Sequence, residues 1–147
     1  MANTDSKSEE GVIGLILVTH GAVGEALLAA LEHIVGPQDD VHSVAILQDD
    51  EVEERRLEIV DAIGRLRVPK GCIVMTDMFG GTPSNLALSA MGEDGVEVIA
   101  GLNLPMLIKF ASVRASVELD EAVAQVQDAG RKYINVASSF LNPPGGD

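Results

Sequence analysis

Residues 12–18 read VIGLILV and run straight into Thr19-His20-Gly21; residues 72–76 read CIVMT and run into Asp77-Met78-Phe79-Gly80-Gly81-Thr82-Pro83. Each is a short, uninterrupted apolar run rich in β-branched residues, the pattern of a strand buried on both faces in a parallel sheet. Each also ends on glycine and then opens a helical pattern. After the first, Val23, Leu27, Ala30, Leu31 and Ile34 recur at helical spacing until Gly36-Pro37 stops them, predicting a helix over 23–35. After the second, Thr82 suits the helix cap and Pro83 the first helical position, so a helix is expected from Pro83 to about Met91.

Outward from these two units the same alternation continues. Residues 41–46 form a second strand, and Asp50 with Glu53 has the spacing of a capping box for a helix that buries Val52, Ile59, Val60, Ile63 and Leu66. Residues 96–100 form a fourth strand, and Asn103-Leu104-Pro105 opens a helix to about Val113. Leu119, Ala122, Val123 and Val126 mark a last helix that Gly130 is expected to end, and KYINVA (132–137) alternates as a C-terminal edge strand would. Strand and helix thus alternate four times, which predicts an α/β fold: a small doubly wound, mainly parallel four-stranded sheet in the order 2-1-3-4 with helices on both faces.

The 147 residues fit one domain, expected over 11–141, with a disordered polar lead-in at 1–10 and a frayed tail at 142–147. Apolar residues at 46% and charged residues at 22% describe a folding chain rather than a disordered one. A net charge of −13 has the wrong sign for nucleic acid or anionic lipid, and the single Cys72 excludes an internal disulfide or a multi-cysteine metal site. No signal-peptide layout or membrane span is present, so a soluble protein of a reducing cytoplasm is expected.

In the 2-1-3-4 order, strands 1 and 3 are neighbours whose connections leave in opposite directions, and ligands bind at such a switch point. His20 and Asp77 would meet there. A carboxylate on one ring nitrogen fixes the imidazole tautomer and leaves the other nitrogen free to attack. Helix N-termini near Gly21 and Gly80-Gly81-Thr82 would favour an anion, such as a phosphoryl group on His20. The Thr82 hydroxyl either bonds that group or caps its own helix. No Walker lysine, dinucleotide fingerprint or metal cluster is present, which points to a phosphoprotein donor and to no cofactor.

These residues resemble a known family. THG (19–21) with its Ala/Leu-rich helix, TDMFGGTPSN (76–85) and VIAGLNLPMLIK (98–109) occur in order, and the likeness to the IIA component of the mannose-type (mannose/fructose/sorbose) sugar phosphotransferase system covers about residues 12–113. The resemblance implies a cytoplasmic phosphotransferase component. His20 would accept a phosphoryl group on Nε2 from the histidine-containing phosphocarrier protein and pass it to a IIB component. Asp77 would hold the other ring nitrogen, and Gly81 and Thr82 would contact the phosphoryl group. It further implies a homodimer that exchanges a C-terminal strand, for which 132–137 is the candidate. No IIB-like segment follows, so a separate IIB-type protein is the expected acceptor; alternatively the phosphorylation state of His20 controls binding to a target protein, a signalling role in place of sugar transport.

Blander readings stand beside these. Asp77 also suits an ordinary turn before Gly80-Gly81. Asn85 is a further site candidate unless it only bonds within its own helix turn. Asn103 is another because it follows strand 4, although Leu104, Met106 and Leu107 around it read as core. His33 and His42 read as structural or surface residues. A histidine phosphatase is disfavoured because Thr19 stands where an arginine is needed, and a phospho-receiver domain because strand 1 ends in Thr-His rather than an acidic pair.

Overall fold

In the computed structural model, which describes residues 11–141, four strands alternate with helices: β1 Gly14–His20, α1 Val23–Val35, β2 Val41–Ile46, α2 Val52–Leu66, β3 Cys72–Thr76, α3 Thr82–Leu88, β4 Val96–Ala100, α4 Leu104–Val113, α5 Leu119–Lys132 and α6 Ala137–Leu141. The expected lead-in and tail lie outside the described residues. All pairings are parallel, in the order β2-β1-β3-β4, with His20 opposite Ile46 and Val18 opposite Thr76.

Alternation along the central strands divides the core in two. Ile16, Val18, Val44, Cys72 and Val74 face α2 and α3 through Ile59, Ile63, Leu66 and Leu86. Leu15, Leu17, Ile73 and Met75 face the other way, onto Leu31, Leu107, Phe110 and Val126 of α1, α4 and α5. Every apolar residue of β1 and β3 is buried, which is why both read as unbroken apolar runs.

Several local expectations give way to tertiary packing. The Asp50–Glu53 capping box does not form: Glu51 is the N-cap of α2, the Asp50 carboxylate accepts from the Leu47 N–H at 2.7 Å, and Glu53 pairs with Arg56. Val52 and Val60 are half exposed, because the buried stripe of α2 runs through Ile59, Ala62, Ile63 and Leu66. α3 ends at Leu88, short of Met91.

Gly130 does not end α5. A Cβ there would lie 2.7 Å from Met106 Cγ, so this glycine is a packing contact that lets α5 close on α4, and the helix runs on to Lys132. The expected edge strand is therefore absent from the single chain: residues 133–136 link α5 to α6 and pair with no strand. No helix among the described residues is long and apolar enough to cross a membrane.

Candidate functional site

His20 is the last residue of β1 and Asp77 the first after β3, so adjacency of these strands brings together two residues 57 apart in the chain. His20 Nδ1 lies 2.9 Å from Asp77 Oδ2, and the His20 backbone N–H donates to the same oxygen at 3.0 Å. Asp77 Oδ1 accepts the Met78 N–H at 3.1 Å and the Thr76 hydroxyl at 3.4 Å. Burial raises the Asp77 pKa, but the bonds from the His20 backbone and ring, together with the ring's charge, outweigh it and hold the carboxyl below the usual carboxylate value. An ionised, acceptor-only carboxylate requires Nδ1 to carry the proton, so in the neutral ring Nε2 keeps its lone pair. The His20 side chain is 51% exposed against 17% for Asp77, so the carboxylate is sheltered and the ring is open.

Each glycine of the site does something different. The Gly21 N–H donates to Ile46 O at 2.9 Å and the Gly80 N–H to Ser84 Oγ at 2.9 Å, so both border the site with their donors already used. Gly81 is the N-cap of α3, in place of Thr82, which begins the helix without a side-chain cap bond. The first N–H groups of a helix have no intrahelical partner, and Thr82, the first residue of α3, lines the same cleft as His20. A Cβ on Gly81 would stand 3.3 Å from His20 Nε2, and its φ of +89° is a conformation that favours glycine.

This close approach separates two otherwise similar substitutions. Gly80 shares the left-handed backbone, at φ +92°, but its Cβ would meet nothing within 4 Å. Both alanine variants are expected to lose about 1 kcal/mol of stability. If His20 accepts a phosphoryl group, as expected from the sequence, only Gly81→Ala should slow its loading, by about a hundredfold, because a methyl group would crowd Nε2. Rates from intact mass, with thermal unfolding of both variants, check this.

Two supporting hydroxyls carried no decisive sequence signal. Thr19, fully buried, accepts the Gly24 N–H at 2.8 Å and so ties the start of α1 to β1. Ser84, also buried, accepts from the Gly80 N–H and donates to Gly81 O, closing the loop that carries Asp77. A hydroxyl three residues after a glycine pair was the available hint for Ser84.

A cleft of about 480 Å³ opens beside the ring, lined by His20, Gly21, Leu47, Arg55 and Thr82 among others. Asn85 is exposed and does not line it. Asn103 does not join the site. Its side chain caps α4 by accepting from the Met106 N–H at 3.1 Å and donates to Gly130 O at 3.0 Å. His42 is bonded to Glu58 at 2.8 Å, a structural role. Burial pushes the Cys72 thiol up to about 11, Arg67 opposing it, which leaves an inert thiol. Among the described residues no group of three or more His, Cys, Asp or Glu is placed to hold a metal ion.

Comparison with known proteins adds a family frame. Residues 14–127 match the family model described as the PTS system fructose IIA component. The PTS system mannose-specific EIIAB component of Escherichia coli (strain K12) is 30% identical over 124 residues, which are 83% of this chain and 38% of that protein. The chain thus spans well under half the length of that relative. The PTS system fructose-specific EIIA component of Bacillus subtilis (strain 168) is 25% identical over 88% of this chain and 90% of its own length. Among solved structures, the mannose/sorbose-specific IIA subunit from Enterococcus faecalis superposes with a TM-score of 0.75 at 32% identity, covering 86% of this chain and 95% of that one. The EIIA phosphotransferase component from Streptococcus agalactiae gives 0.79 at 27%, covering 86% and 98%.

Proposed function

Because the chain belongs to the mannose/fructose/sorbose-type IIA family of the sugar phosphotransferase system, we propose that it is a phosphohistidine carrier in which His20 Nε2 takes a phosphoryl group from the histidine-containing phosphocarrier protein and hands it to a IIB component. The observation that carries this reading is an open Nε2 whose opposite nitrogen is held by a sheltered carboxylate at 2.9 Å. In the transfer, the Nε2–P bond forms as the donor's N–P bond breaks, and the donor imidazole departs with its electron pair. The ring of His20, protonated on Nδ1 and phosphorylated on Nε2, is then cationic, and Asp77 pairs with that charge. Gly81 and Thr82 supply N–H groups, and Thr82 a hydroxyl, toward the phosphoryl oxygens. The same chemistry run backwards loads the acceptor.

The rim suits a protein donor. Met78 and Phe79, on the loop between Asp77 and Gly80, are 56% and 65% exposed, and Leu47 and Val52 at the cleft are likewise exposed. Exposed aromatic and methionine side chains beside a reacting group are typical anchors of a protein interface. Phe79→Ala is therefore expected to raise the KM for the phosphocarrier by about tenfold while leaving chemical phosphorylation by phosphoramidate unchanged. Steady-state transfer assays check the first part and intact mass the second.

The homodimer reading rests on the family and on the C-terminal segment. Tyr133, Ile134, Val136, Phe140 and Leu141 all stand exposed in the single chain, an apolar surface that a second copy would cover. Sedimentation of the purified chain would show whether it does.

The deciding experiment incubates the protein with phosphoenolpyruvate, the general phosphotransferase enzyme and its phosphocarrier, then records intact mass before and after acid. One acid-labile phosphate is expected. No phosphate under conditions that charge the phosphocarrier would overturn the carrier reading.

A further inference from the structure

Arg55, in the first turn of α2, lines the same cleft as His20, Gly21 and Thr82. It is the one lysine or arginine among the residues lining that cleft, which also include the acidic Asp50. Its guanidinium is anchored on one side only: Nη1 lies 3.0 Å from Glu58 Oε1, while the enclosed Nε has no hydrogen-bond partner among the described residues. Glu58 does not depend on it, because Oε2 is paired with His42 Nε2 at 2.8 Å.

An enclosed donor on a charged group is costly to leave unmade, and native folds rarely keep one without a use for it. A phosphoryl group on His20 supplies the missing acceptor. It would bring an anion of roughly −1.5 to −2 charge into a chain whose net charge is already −13. Backbone N–H groups offer partial charge, whereas a guanidinium offers a full one and a fork of donors matched to phosphate oxygens.

We propose that Arg55 is a phosphoryl-binding residue, its guanidinium pairing with the phosphoryl oxygens on His20 Nε2 and so stabilising the loaded state of the carrier. The proposal rests on His20 carrying phosphate and adds the cation that holds it. Glu58 keeps His42 as its partner when Arg55 turns toward the cleft, so the exchange orphans no carboxylate.

The test uses phosphoramidate, whose P–N bond breaks and releases ammonia as the Nε2–P bond forms, so no protein donor is needed. Wild type, Arg55→Lys and Arg55→Gln are each labelled, and the phosphorus resonance is titrated by NMR. A nearby cation favours the dianion, so the phosphoryl group is expected to titrate about 1 pH unit higher in Arg55→Gln than in wild type, with Arg55→Lys between them. Added salt should narrow the gap. Superimposable titrations of wild type and Arg55→Gln, with both variants folded by thermal melting, would overturn the proposal. Labelling by phosphoramidate but not by the phosphocarrier would overturn the carrier reading alone, with the titrations still judging Arg55. If phosphoramidate leaves His20 unlabelled, the Arg55 proposal falls as well.

Discussion

The His20→Ala chain is expected to take up no acid-labile phosphate from the phosphocarrier, whereas Asp77→Ala keeps the capacity at a rate reduced by about a hundredfold. The difference follows from what each side chain does. In the proposed carrier His20 supplies the lone pair that bonds to phosphorus, and no other imidazole lines the cleft: His42, on β2, is bonded to Glu58, and His33 lies on α1. Asp77 reacts with nothing. It fixes the tautomer through the 2.9 Å contact, orients the ring and pairs with the charge that appears on phosphorylation. Without it both tautomers are populated and the ring turns freely, so the productive geometry becomes a minor state. Asp77→Asn, which keeps size but loses charge, separates orientation from ion pairing.

The same carboxylate sets a pH limit. Its folded pKa is depressed, so its stabilising contribution is present above the ordinary value of 3.8 and is lost as pH falls through the lower, folded value. Near neutrality the pair is therefore intact. Intact mass read on both variants over a time course, with unfolding curves as controls, checks the whole set, and normal loading of His20→Ala would move the site elsewhere.

Arg114→Met is expected to destabilise the fold by about 3 to 5 kcal/mol, a fall in melting temperature of roughly 10–15 °C for a domain of this size. Arg114 follows α4 and is only 5% exposed. Its Nε and Nη2 both donate to Ile13 O, at 3.0 and 2.8 Å, Nη2 also to Asp40 O at 3.1 Å, and Nη1 to Gln38 Oε1 at 3.1 Å. The guanidinium carbon stands 4.9 Å from the Phe110 ring centroid. Burial lowers its pKa, opposed by Asp40 and Asp39, but an arginine is charged in either state at neutral pH.

One side chain thus ties the approach to β1, the approach to β2 and the end of α4. Methionine fills much of the volume but leaves Ile13 O without the two donors it takes from the guanidinium, at a cost of about 1–3 kcal/mol, and the charge-assisted bonds to Gln38 and to Asp40 O, which keeps the Leu15 N–H at 3.1 Å, are lost as well. Lysine cannot reproduce the planar fork, so Arg114→Lys should recover little of the loss. Chemical denaturation measures both, and a loss below about 1 kcal/mol in Arg114→Met would show that water or a shifted neighbour satisfies Ile13 O.

The strands and most helices were legible because burial on both faces leaves an unambiguous trace: VIGLILV has no polar residue and CIVMT only Thr76 at its end, and the helices between them repeat at 3.6 residues. Given alternating strands and helices, handedness leaves few topologies, and the observed 2-1-3-4 order is the one expected. That order placed His20 beside Asp77 before any distance was known. Glycine and proline were less reliable guides. Gly130 resembled a helix stop and proved to be a packing contact, because a missing Cβ serves a turn and a close helix approach equally well.

Other features depend on partners far away in the chain and leave no local trace. Arg114 and Ile13 are 101 residues apart, so nothing near either one announces the clamp. Nothing in the sequence around Arg55 marks it, and only folding sets it on the wall of the histidine cleft. Gly21, Gly80, Gly81 and Thr82 looked equivalent as anion ligands, and only the hydrogen bonds show which N–H groups are already used. The periodicities, and through them the sheet order and the meeting of His20 with Asp77, are written in the order of the residues, because hydrophobic burial acts on every residue in turn. Which donors remain free, which methyl group would crowd Nε2 and which cation shares the cleft emerge on folding, because these are set by contacts between residues that sequence distance does not relate.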